Sequence, residues 1–254
     1  MTQPIKISII TACYNSEKTI GEAIASLKRQ SWPNVEHVVV DGLSSDATVD
    51  IARQTLDEAD VLISEKDKGI YDALNKGIKH ATGDVVGFLH SDDLYAHDNV
   101  LSHVAESFAD PGKGAVYGDL EYVSAIDTTK IVRYWKSGSF NQKKLKRGWM
   151  PPHPTFFMRR DLYNELGGFD LEFRISGDYD ALLRYLSNGK VSVSYLSEVL
   201  VKMRVGGVSN RSLSSIMKKT REDIDAMARN DINPWFALGY KNLSKIPQFF
   251  RRHR

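Results

Sequence analysis

Residues 5–108 alternate short apolar runs with segments of helical periodicity, and this alternation restricts the chain to few folds. The apolar runs have the composition of strands buried in a sheet, and the segments between them carry their apolar residues on one helical face. Strands joined through single helices form βαβ units, so the sequence predicts an α/β fold with a mainly parallel central sheet flanked by helices. The four runs are IKISIIT (5–11), VEHVVVD (35–41), VLIS (61–64) and DVVGFLH (84–90).

The second half of the chain is less regular. GAVYGDLEYV and KIVRYWK indicate strands, and the polar, basic stretch at 136–152 indicates a loop. HPTFFM predicts a short strand, and two helices follow that end at Gly167 and Gly189. VSVSYL and VLVKMR predict two more strands. No repeat or low-complexity linker divides the sequence, so we expect one compact unit.

Composition excludes several classes of protein. The 254 residues are 42% hydrophobic and 26% charged, as in ordinary globular proteins. A formal net charge of +2 gives no field that would attract nucleic acid. No apolar stretch reaches the roughly 18 residues of a membrane span, and the N-terminal run is too short for a secretory signal. Cys13 is the single cysteine, which excludes an internal disulfide, so we expect a cytoplasmic protein.

Polar residues and glycines stand where the predicted strands end. They are Thr11, Ala12 and Tyr14 after the first strand, Asp41 and Gly42 after the second, and Asp92 and Asp93 after the fourth. Ligands of open α/β sheets bind in the crevice beyond the carboxyl ends of the strands, where helix N-termini also favour phosphate. The layout therefore predicts a crevice that binds a nucleotide.

Asp92 and Asp93 place two like charges side by side at the end of a buried strand. Such carboxylates repel unless a cation or a proton intervenes. Their hard oxygens suit Mg²⁺ or Mn²⁺, which completes its coordination with water and substrate phosphate. The alternative is that one of the two caps the turn that follows. With Asp41 at the neighbouring strand end, we favour a site for a metal ion and a diphosphate.

Four stretches, in this order, give the chain a family resemblance. They are ISIITACYNSEKTIGEAIASLKRQ, HVVVDGLSSDAT, EKDKGIYDALNKGIKHATGDVVGFLHSDD and GGFDLEFRISGDYDALLRY. Over roughly residues 5–210 the chain resembles the inverting, nucleotide-sugar-dependent glycosyltransferases of family 2, which have the GT-A fold. It is most similar to bacterial members that build surface polysaccharides such as lipopolysaccharide.

The resemblance implies both a domain organisation and a reaction. A Rossmann-like GT-A domain would span 1–211, with a nucleotide-sugar half at 1–120 and an acceptor half at 121–211, and a helical basic tail would span 212–254. The reaction would move a hexosyl or N-acetylhexosaminyl group, with inversion, from a UDP-sugar to a saccharide acceptor. In surface-polysaccharide assembly we expect a lipid-linked acceptor, and the expected cofactor is Mn²⁺ or Mg²⁺.

The resemblance also implies a set of donor-binding residues. They are Thr11, Ala12, Tyr14, Asp41 and Gly42 at the first two strand ends, Lys68, Gly69 and Asp72 after the third, and Asp92 after the fourth. Asp41 would accept a hydrogen bond from the nucleotide base, and its alternative role is an acidic group near the start of the next helix. Lys68 would neutralise part of the negative charge of the phosphates.

Two motifs depart from the family pattern. In HSDD (90–93) a serine stands at the first acidic position of the family's D-x-D, which leaves Asp93 to bind the metal and Asp92 to contact ribose or sugar. In SGDYD (176–180) the family's Glu-Asp pair becomes Gly177–Asp178. Asp178 is then the predicted base that activates the acceptor hydroxyl, and Asp180 is the alternative.

Two further segments resemble family elements near the acceptor or the phosphates. His153, held between prolines, would lie near the acceptor or the metal, or would simply pack in the domain. In RVGGVSN (204–210), Arg204, Gly207 and Ser209 would contact phosphate through the guanidinium and the loop backbone. The alternative is an ordinary Gly-Gly turn.

The C-terminal tail is basic and aromatic. Residues 235–254 contain five Lys or Arg and no acid, so the rest of the chain has a formal charge of −3. Asn233 and Pro234 are typical of a helix cap and first helical position, and Pro247 interrupts the segment. Two interpretations stay open: a helix that contacts the inner face of the cytoplasmic membrane, and a helix packed on the domain.

Two other functions fit parts of the sequence. A phosphohydrolase of nucleotide sugars would use the same aspartates with water as the nucleophile, and the missing acids would suit a non-catalytic assembly subunit. A dinucleotide-dependent dehydrogenase is disfavoured, because TACYNSEKT stands after the first strand in place of G-x-G-x-x-G.

Overall fold

Nine strands within the described residues form a single sheet. The computed structural model describes residues 4–187, 189–206, 213–235 and 237. The strands are β1 (Ile7–Cys13), β2 (Val35–Asp41), β3 (Val61–Ser64), β4 (Val85–Phe88), β5 (Leu94–Tyr95), β6 (Ala115–Val123), β7 (Ile131–Trp135), β8 (Phe157–Arg159) and β9 (Val193–Arg204). Their order is β3-β2-β1-β4-β8-β6-β9-β5, and β7 pairs with β6.

Helices flank the sheet and alternate with its first four strands, as the sequence predicts. They are α1 (Ile20–Lys28), α2 (Thr48–Thr55), α3 (Ile70–His80), α4 (Val100–Ser107), α5 (Gln142–Leu145), α6 (Arg160–Leu166), α7 (Gly177–Ser187) and α8 (Leu213–Arg229). β1 pairs in parallel with β2 and β4, and β2 pairs in parallel with β3. Every residue of β1 is buried, because helices cover both faces of this part of the sheet.

Two glycines bring neighbouring elements close to this parallel core. A Cβ at Gly77 of α3 would lie 2.3 Å from Cγ2 of Ile10, and a Cβ at Gly87 of β4 would lie 2.4 Å from the ring of Phe157. Neither position has room for a side chain. The C-terminal half of α3 is therefore packed directly on β1.

The second half of the chain differs from the expectation in four ways. Only β6 and β9 run parallel there, and β8, β7 and β5 pair with their neighbours in antiparallel fashion. A 3₁₀ helix, His153–Thr155, replaces the start of the predicted strand HPTFFM, and the short helix α5 lies within the predicted loop. The two predicted strands after Gly189 are one strand, β9, in which residues 196–198 bulge opposite Gly118.

The helix α8 packs on the domain at the loop before α7. One carboxylate oxygen of Glu222 accepts the backbone N–H groups of Arg174, Ile175 and Ser176 at 2.7–3.1 Å. Met227 of α8 is fully buried in the same core as α7. Helix α8 thereby fixes the start of α7.

Among the residues described, no helix is long and apolar enough to cross a membrane. Near the end of the described chain, the side chain of Asn233 accepts the N–H of Trp235 at 3.1 Å, which is the capping contact that the sequence predicts. The basic residues of the predicted tail, from Lys241 onward, lie outside the described residues.

Candidate functional site

The carboxyl ends of β1 and β2 lie side by side and form one wall of the candidate site. Cys13 pairs with Asp41 in the parallel ladder, and the N–H of Gly42 donates to the carbonyl of Cys13 at 2.9 Å. Tyr14, the next residue along, is 63% exposed, and its ring passes 3.5 Å from where a Cβ of Gly42 would be. An exposed aromatic ring beside an open backbone provides a surface on which a planar base can stack.

Thr11 and Ala12 are buried beneath this wall. The hydroxyl of Thr11 donates to the carbonyl of Leu89 at 2.7 Å and pairs with Nε2 of His37 at 2.9 Å. These contacts join β1 to the segment that leads into the acidic motif. Contact of either residue with a nucleoside remains a prediction.

Asp41 is fully buried and all its hydrogen bonds lie within the chain. Its carboxylate accepts the backbone N–H of Ser44 at 3.0 Å, the hydroxyl of Ser44, and the hydroxyl of Ser64 at 2.7 Å. The group therefore fixes the turn after β2 and ties it to β3. The predicted hydrogen bond to a base would have to use a remaining lone pair.

Asp67 is a half-buried carboxylate at the same wall that the sequence analysis did not single out. Its Oδ2 lies 2.4 Å from the Cβ position of Gly42, and its Oδ1 accepts the N–H of Gly69 at 2.8 Å. Its position in the sequence could have indicated a role, because the stretch EKDKG directly follows β3 at the ligand-binding edge. Asp67 is better exposed than Asp41 to meet a base.

The start of α3 is organised by its own polar groups. Asp72 accepts the N–H of Lys68 at 3.0 Å, and Gly69 has φ +120°, a conformation that favours glycine. Arg174, also not predicted, donates to the carbonyl of Lys68 at 2.9 Å. Lys68 and Arg174, both exposed, are thus neighbours at the start of α3.

Asp93 is fully buried, and neither of its carboxylate oxygens has a hydrogen-bond partner in the described part of the chain. Burial raises its pKa well above the ordinary value, and the charge of Asp92 raises it further. The backbone N–H of Arg204 lies near the carboxylate and, together with the guanidinium charge, opposes this rise, although its geometry falls short of a full hydrogen bond. An unpartnered buried carboxylate beside a second acid has the donor chemistry of a divalent-metal ligand.

Arg204, the last residue of β9, is held against the acidic motif. Its guanidinium donates to the carbonyl of Asp92 at 2.8 Å and to the carboxylate of Glu22 on α1. The side chain is buried, so the predicted contact with phosphate would need one of the remaining N–H groups, and Nε is without a partner in the described chain. Gly207 and Ser209 lie outside the described residues.

Asp178 stands in the first turn of α7 and is half-buried. The hydroxyl of Tyr71 donates to its Oδ1 at 3.3 Å and to the carbonyl of Ile175 at 2.7 Å. A Cβ at position 177 would lie 2.8 Å from the ring of Tyr71, so no larger residue fits there without moving that ring. The contact disfavours at position 177 the Glu that the resemblance implied there. Asp180, the alternative base, is buried and instead pairs with Arg184 and Asn230.

Two histidines connect the acidic motif with Asp178. The rings of His90 and His153 lie 5.8 Å apart, and burial lowers the pKa of each, that of His153 to about 4. The charge of Asp178 opposes the lowering in both, and Asp92 does so for His90. His90 was not predicted, whereas His153 lies among the acids as the sequence implied, stacked on Phe88 at 5.0 Å.

Direct contacts join several of these residues in pairs. Arg204 donates to the carbonyl of Asp92, the rings of His90 and His153 are neighbours, and Tyr71 donates to Asp178. The 3₁₀ helix that begins with His153 packs against α7 and β4. That Asp93 and Asp178 act in one site stays a prediction.

Comparisons with known proteins decide the family. Residues 8–167 match Glycosyl transferase family 2. A PGL/p-HBAD biosynthesis glycosyltransferase of Mycobacterium bovis is 30% identical over 208 residues, which cover 80% of this chain and 78% of that protein. The chain belongs to glycosyl transferase family 2. The Haloferax volcanii glycosyltransferase AglE is a more distant relative, 26% identical over 178 residues that cover 68% of this chain and 58% of AglE.

Solved structures confirm the predicted GT-A fold of this family 2 glycosyltransferase. The mannosyltransferase PcManGT from Pyrobaculum calidifontis, in complex with GDP-Man and Mn²⁺, gives a TM-score of 0.68 at 21% identity and covers 98% of this chain and 74% of its own. Residues 1–349 of S. aureus TarS, in complex with UDP, give a TM-score of 0.65 at 22% identity. The match covers 94% of this chain and 71% of the TarS chain. The family match ends before α7, so the position of Asp178 comes from the fold and not from that match.

Proposed function

We propose that this glycosyltransferase moves a hexosyl or N-acetylhexosaminyl group from a UDP-sugar to a saccharide acceptor with inversion, in a reaction that requires Mn²⁺ or Mg²⁺. The observation that carries the proposal is Asp93, a fully buried carboxylate whose oxygens have no partner in the described chain. Burial of an ionised carboxylate is costly without a counter-charge, so a site of this kind is suited to a cation.

Asp93 would hold the metal directly, with Asp92 toward the ribose or sugar. The bound ion would act as a Lewis acid on the departing diphosphate and neutralise its charge. Arg204 would add a fixed positive charge at the same place, because its guanidinium is anchored by Asp92 and Glu22. These groups would stabilise the leaving group without supplying a proton.

Asp178 would act as the base for the acceptor hydroxyl. Its carboxylate takes the hydroxyl proton while the acceptor oxygen forms a bond to C1 of the sugar, and the bond from C1 to the diphosphate oxygen breaks on the opposite face. UDP leaves with the bonding electron pair. The hydroxyl of Tyr71 would orient Asp178.

The choice of UDP is supported by the wall at β1 and β2. Tyr14 offers a ring for stacking, and Asp67, which is partly exposed, offers a carboxylate oxygen to the N–H of uracil. TarS has been solved with UDP and with UDP-GlcNAc, and PcManGT with GDP-Man. We infer a lipid-linked acceptor in bacterial surface-polysaccharide assembly, in line with the bacterial relative that is named for PGL/p-HBAD biosynthesis.

A donor panel tests the proposal. The full chain is incubated with UDP-GlcNAc, UDP-glucose or GDP-mannose, with Mn²⁺ or EDTA, and with or without a lipid-linked saccharide. We expect release of UDP that needs both Mn²⁺ and the acceptor, and a product with inverted anomeric configuration by NMR. Acceptor-independent release of phosphate or sugar phosphate, without UDP, would indicate a phosphohydrolase, and turnover that is unaffected by EDTA would contradict the metal requirement.

A further inference from the structure

A second cluster of metal-ligating side chains lies outside the candidate active site. It consists of His97, His103 and Glu198, and one ligand atom from each lies within 4.8 Å of the others. Nδ1 of His103 is 2.9 Å from Oε1 of Glu198, and Nε2 of His97 is 3.5 Å from Oε2. We propose that these three residues bind a zinc-class transition-metal ion at a site separate from the one at Asp93.

The three ligands come from three elements that the fold brings together. His97 follows β5, His103 lies on α4, and Glu198 belongs to the bulge of β9. Bulges redirect side chains relative to a regular strand. Here the bulge opposite Gly118, where a Cβ would lie 2.9 Å from the carbonyl of Glu198, turns that residue toward α4. All three side chains are partly exposed, so an ion can reach them from solvent.

The geometry and donor types suit zinc better than the ions proposed for Asp93. Tetrahedral Zn²⁺ with ligand distances of about 2.0–2.1 Å has ligand atoms roughly 3.4 Å apart. From the one oxygen Oε2 of Glu198, Nδ1 of His103 is 3.0 Å away and Nε2 of His97 is 3.5 Å away. All three ligand atoms lie within 4.8 Å of one another, so the side chains would have to move together by about 1 Å to complete the site. Two imidazoles and one carboxylate favour Zn²⁺ over Mg²⁺ or Mn²⁺, which prefer oxygen. If Nε2 of His97 binds the metal, the ring proton is on Nδ1. Nδ1 then no longer accepts the N–H of Asn99, a long contact of 3.3 Å.

The fourth coordination position would face a groove. A cavity of about 420 Å³ is lined by His103 and Glu198 together with Glu106, Ser107, Leu196 and Ser197. Three protein ligands and an open side form a site that can hold water or an oxygen ligand in the fourth position. The groove is large enough for such a ligand, and Glu106 offers a further carboxylate one helical turn from His103.

Metal at this cluster would tie together the elements that hold Asp93. Leu94, the residue after Asp93, pairs with Lys202 of β9, and the N–H of Ala96 donates to the carbonyl of Leu200 at 3.0 Å. The cluster fastens β5 to β9 just beyond these pairs, and β9 ends at Arg204. The expected consequence of binding is a more stable β5–β9 corner, since an ion that binds only the folded state stabilises it.

The test is zinc binding to the full, untagged chain after removal of metal with EDTA. Calorimetry with Zn²⁺ is expected to give one tight site per chain, and Zn²⁺ at about 100 times its Kd is expected to raise Tm by roughly 5–10 °C. His103→Ala and Glu198→Gln should each weaken binding by more than about 100-fold, because loss of a group that merely orients a ligand already costs 10- to 100-fold. Co²⁺ should bind with the absorption spectrum of a tetrahedral site.

Two control variants separate this site from others. His80→Ala removes an exposed histidine at the end of α3, and Asp93→Asn removes the proposed active-site ligand; both should keep the tight zinc site. The proposal is overturned if His103→Ala and Glu198→Gln, folded by circular dichroism, bind Zn²⁺ like the parent chain, or if the parent chain binds none. Loss of the site in Asp93→Asn alone would place the zinc in the active site and also contradict it.

Discussion

Asp41 and Asp93 are both fully buried aspartates at the carboxyl-terminal edge of the parallel strands, yet their surroundings are opposite. Asp41 accepts hydrogen bonds from Ser44 and Ser64. Asp93 has none within the described residues, and it lies next to a second acid. Burial alone therefore does not distinguish a structural carboxylate from a ligand; the hydrogen bonds that the chain itself provides do.

The contrast separates two uses of the same residue type. The satisfied carboxylate builds the turn on which a nucleotide would rest, and removing its charge should weaken the fold. The unsatisfied carboxylate should destabilise the metal-free fold, and under our proposal a bound cation offsets this cost. Asp178 is an intermediate case, half-buried and with one long hydrogen bond from Tyr71, as expected for a group that must exchange a proton.

We expect the largest effect, a loss of catalytic rate, when Asp178 is substituted. Asp178→Asn should lower kcat by between about 10²- and 10⁴-fold, because general-base catalysis contributes that much. The KM for the donor should stay nearly constant, since the donor is held elsewhere. Steady-state kinetics with a saturating acceptor measures both. Asp180→Asn is the matched control, and a loss of kcat in that variant with none in Asp178→Asn would reverse the roles of the two residues.

The matched pair Asp41→Asn and Asp93→Asn should then differ in the sign of their effect on stability. Asp41→Asn is expected to lower the free energy of unfolding by about 1.5–3 kcal/mol, because charge-assisted hydrogen bonds are lost. The metal-free Asp93→Asn variant is expected to be as stable as the parent chain or more so. Urea unfolding in EDTA measures both free energies. Equal destabilisation of the two variants would contradict the difference between a hydrogen-bonded Asp41 and an unpartnered Asp93.

The pH dependence of stability sharpens the same contrast. Folding raises the pKa of Asp93 above the ordinary value of 3.8, so its favourable contribution is complete below the unfolded pKa and is lost as pH rises through the folded pKa. Between about pH 5 and pH 8, the Tm of Asp93→Asn in EDTA should therefore rise by a few degrees relative to the parent chain. Mn²⁺ should close this difference. A constant difference across the pH range would show that Asp93 is not the titrating group.

We expect the smallest effect on stability when Ser64, one of the hydrogen-bond donors to Asp41, is substituted. Ser64→Ala removes the hydroxyl that donates at 2.7 Å and should cost about 1 kcal/mol of unfolding free energy. Ser139→Ala, at an exposed position, should change stability by less than about 0.5 kcal/mol. If Ser64→Ala changes the free energy of unfolding as little as this control does, the hydrogen bond from Ser64 does not contribute to the stability that Asp41 provides.

Local patterns explain what could be predicted from the sequence. The first four strands and their helices follow from apolar periodicity, and the positions of Tyr14 and Asp92 follow from where those strands end. The pairing of adjacent acids also points to Asp93 without knowledge of its environment. In each case the information lies within about ten residues along the chain.

Contacts between distant residues explain what could not be predicted. The bond from Arg204 to Asp92 joins residues 112 positions apart, and the contact of Glu222 with Ser176 spans 46. The continuity of β9 was hidden because the polar Ser197 and Glu198 resemble a turn, whereas the sheet accommodates them as a bulge opposite Gly118. The burial of Asp41 and the exposure of Asp67 likewise depend on packing that no local pattern records.

The most direct test of the role of Asp93 is the calorimetric affinity for UDP with Mn²⁺ and with EDTA. The parent chain should bind UDP at least about tenfold more tightly with Mn²⁺, and Asp93→Asn should lose that gain while Asp110→Asn, at an exposed position, keeps it. If Asp93→Asn retains the full Mn²⁺-dependent gain, the unpartnered carboxylate is not the metal ligand.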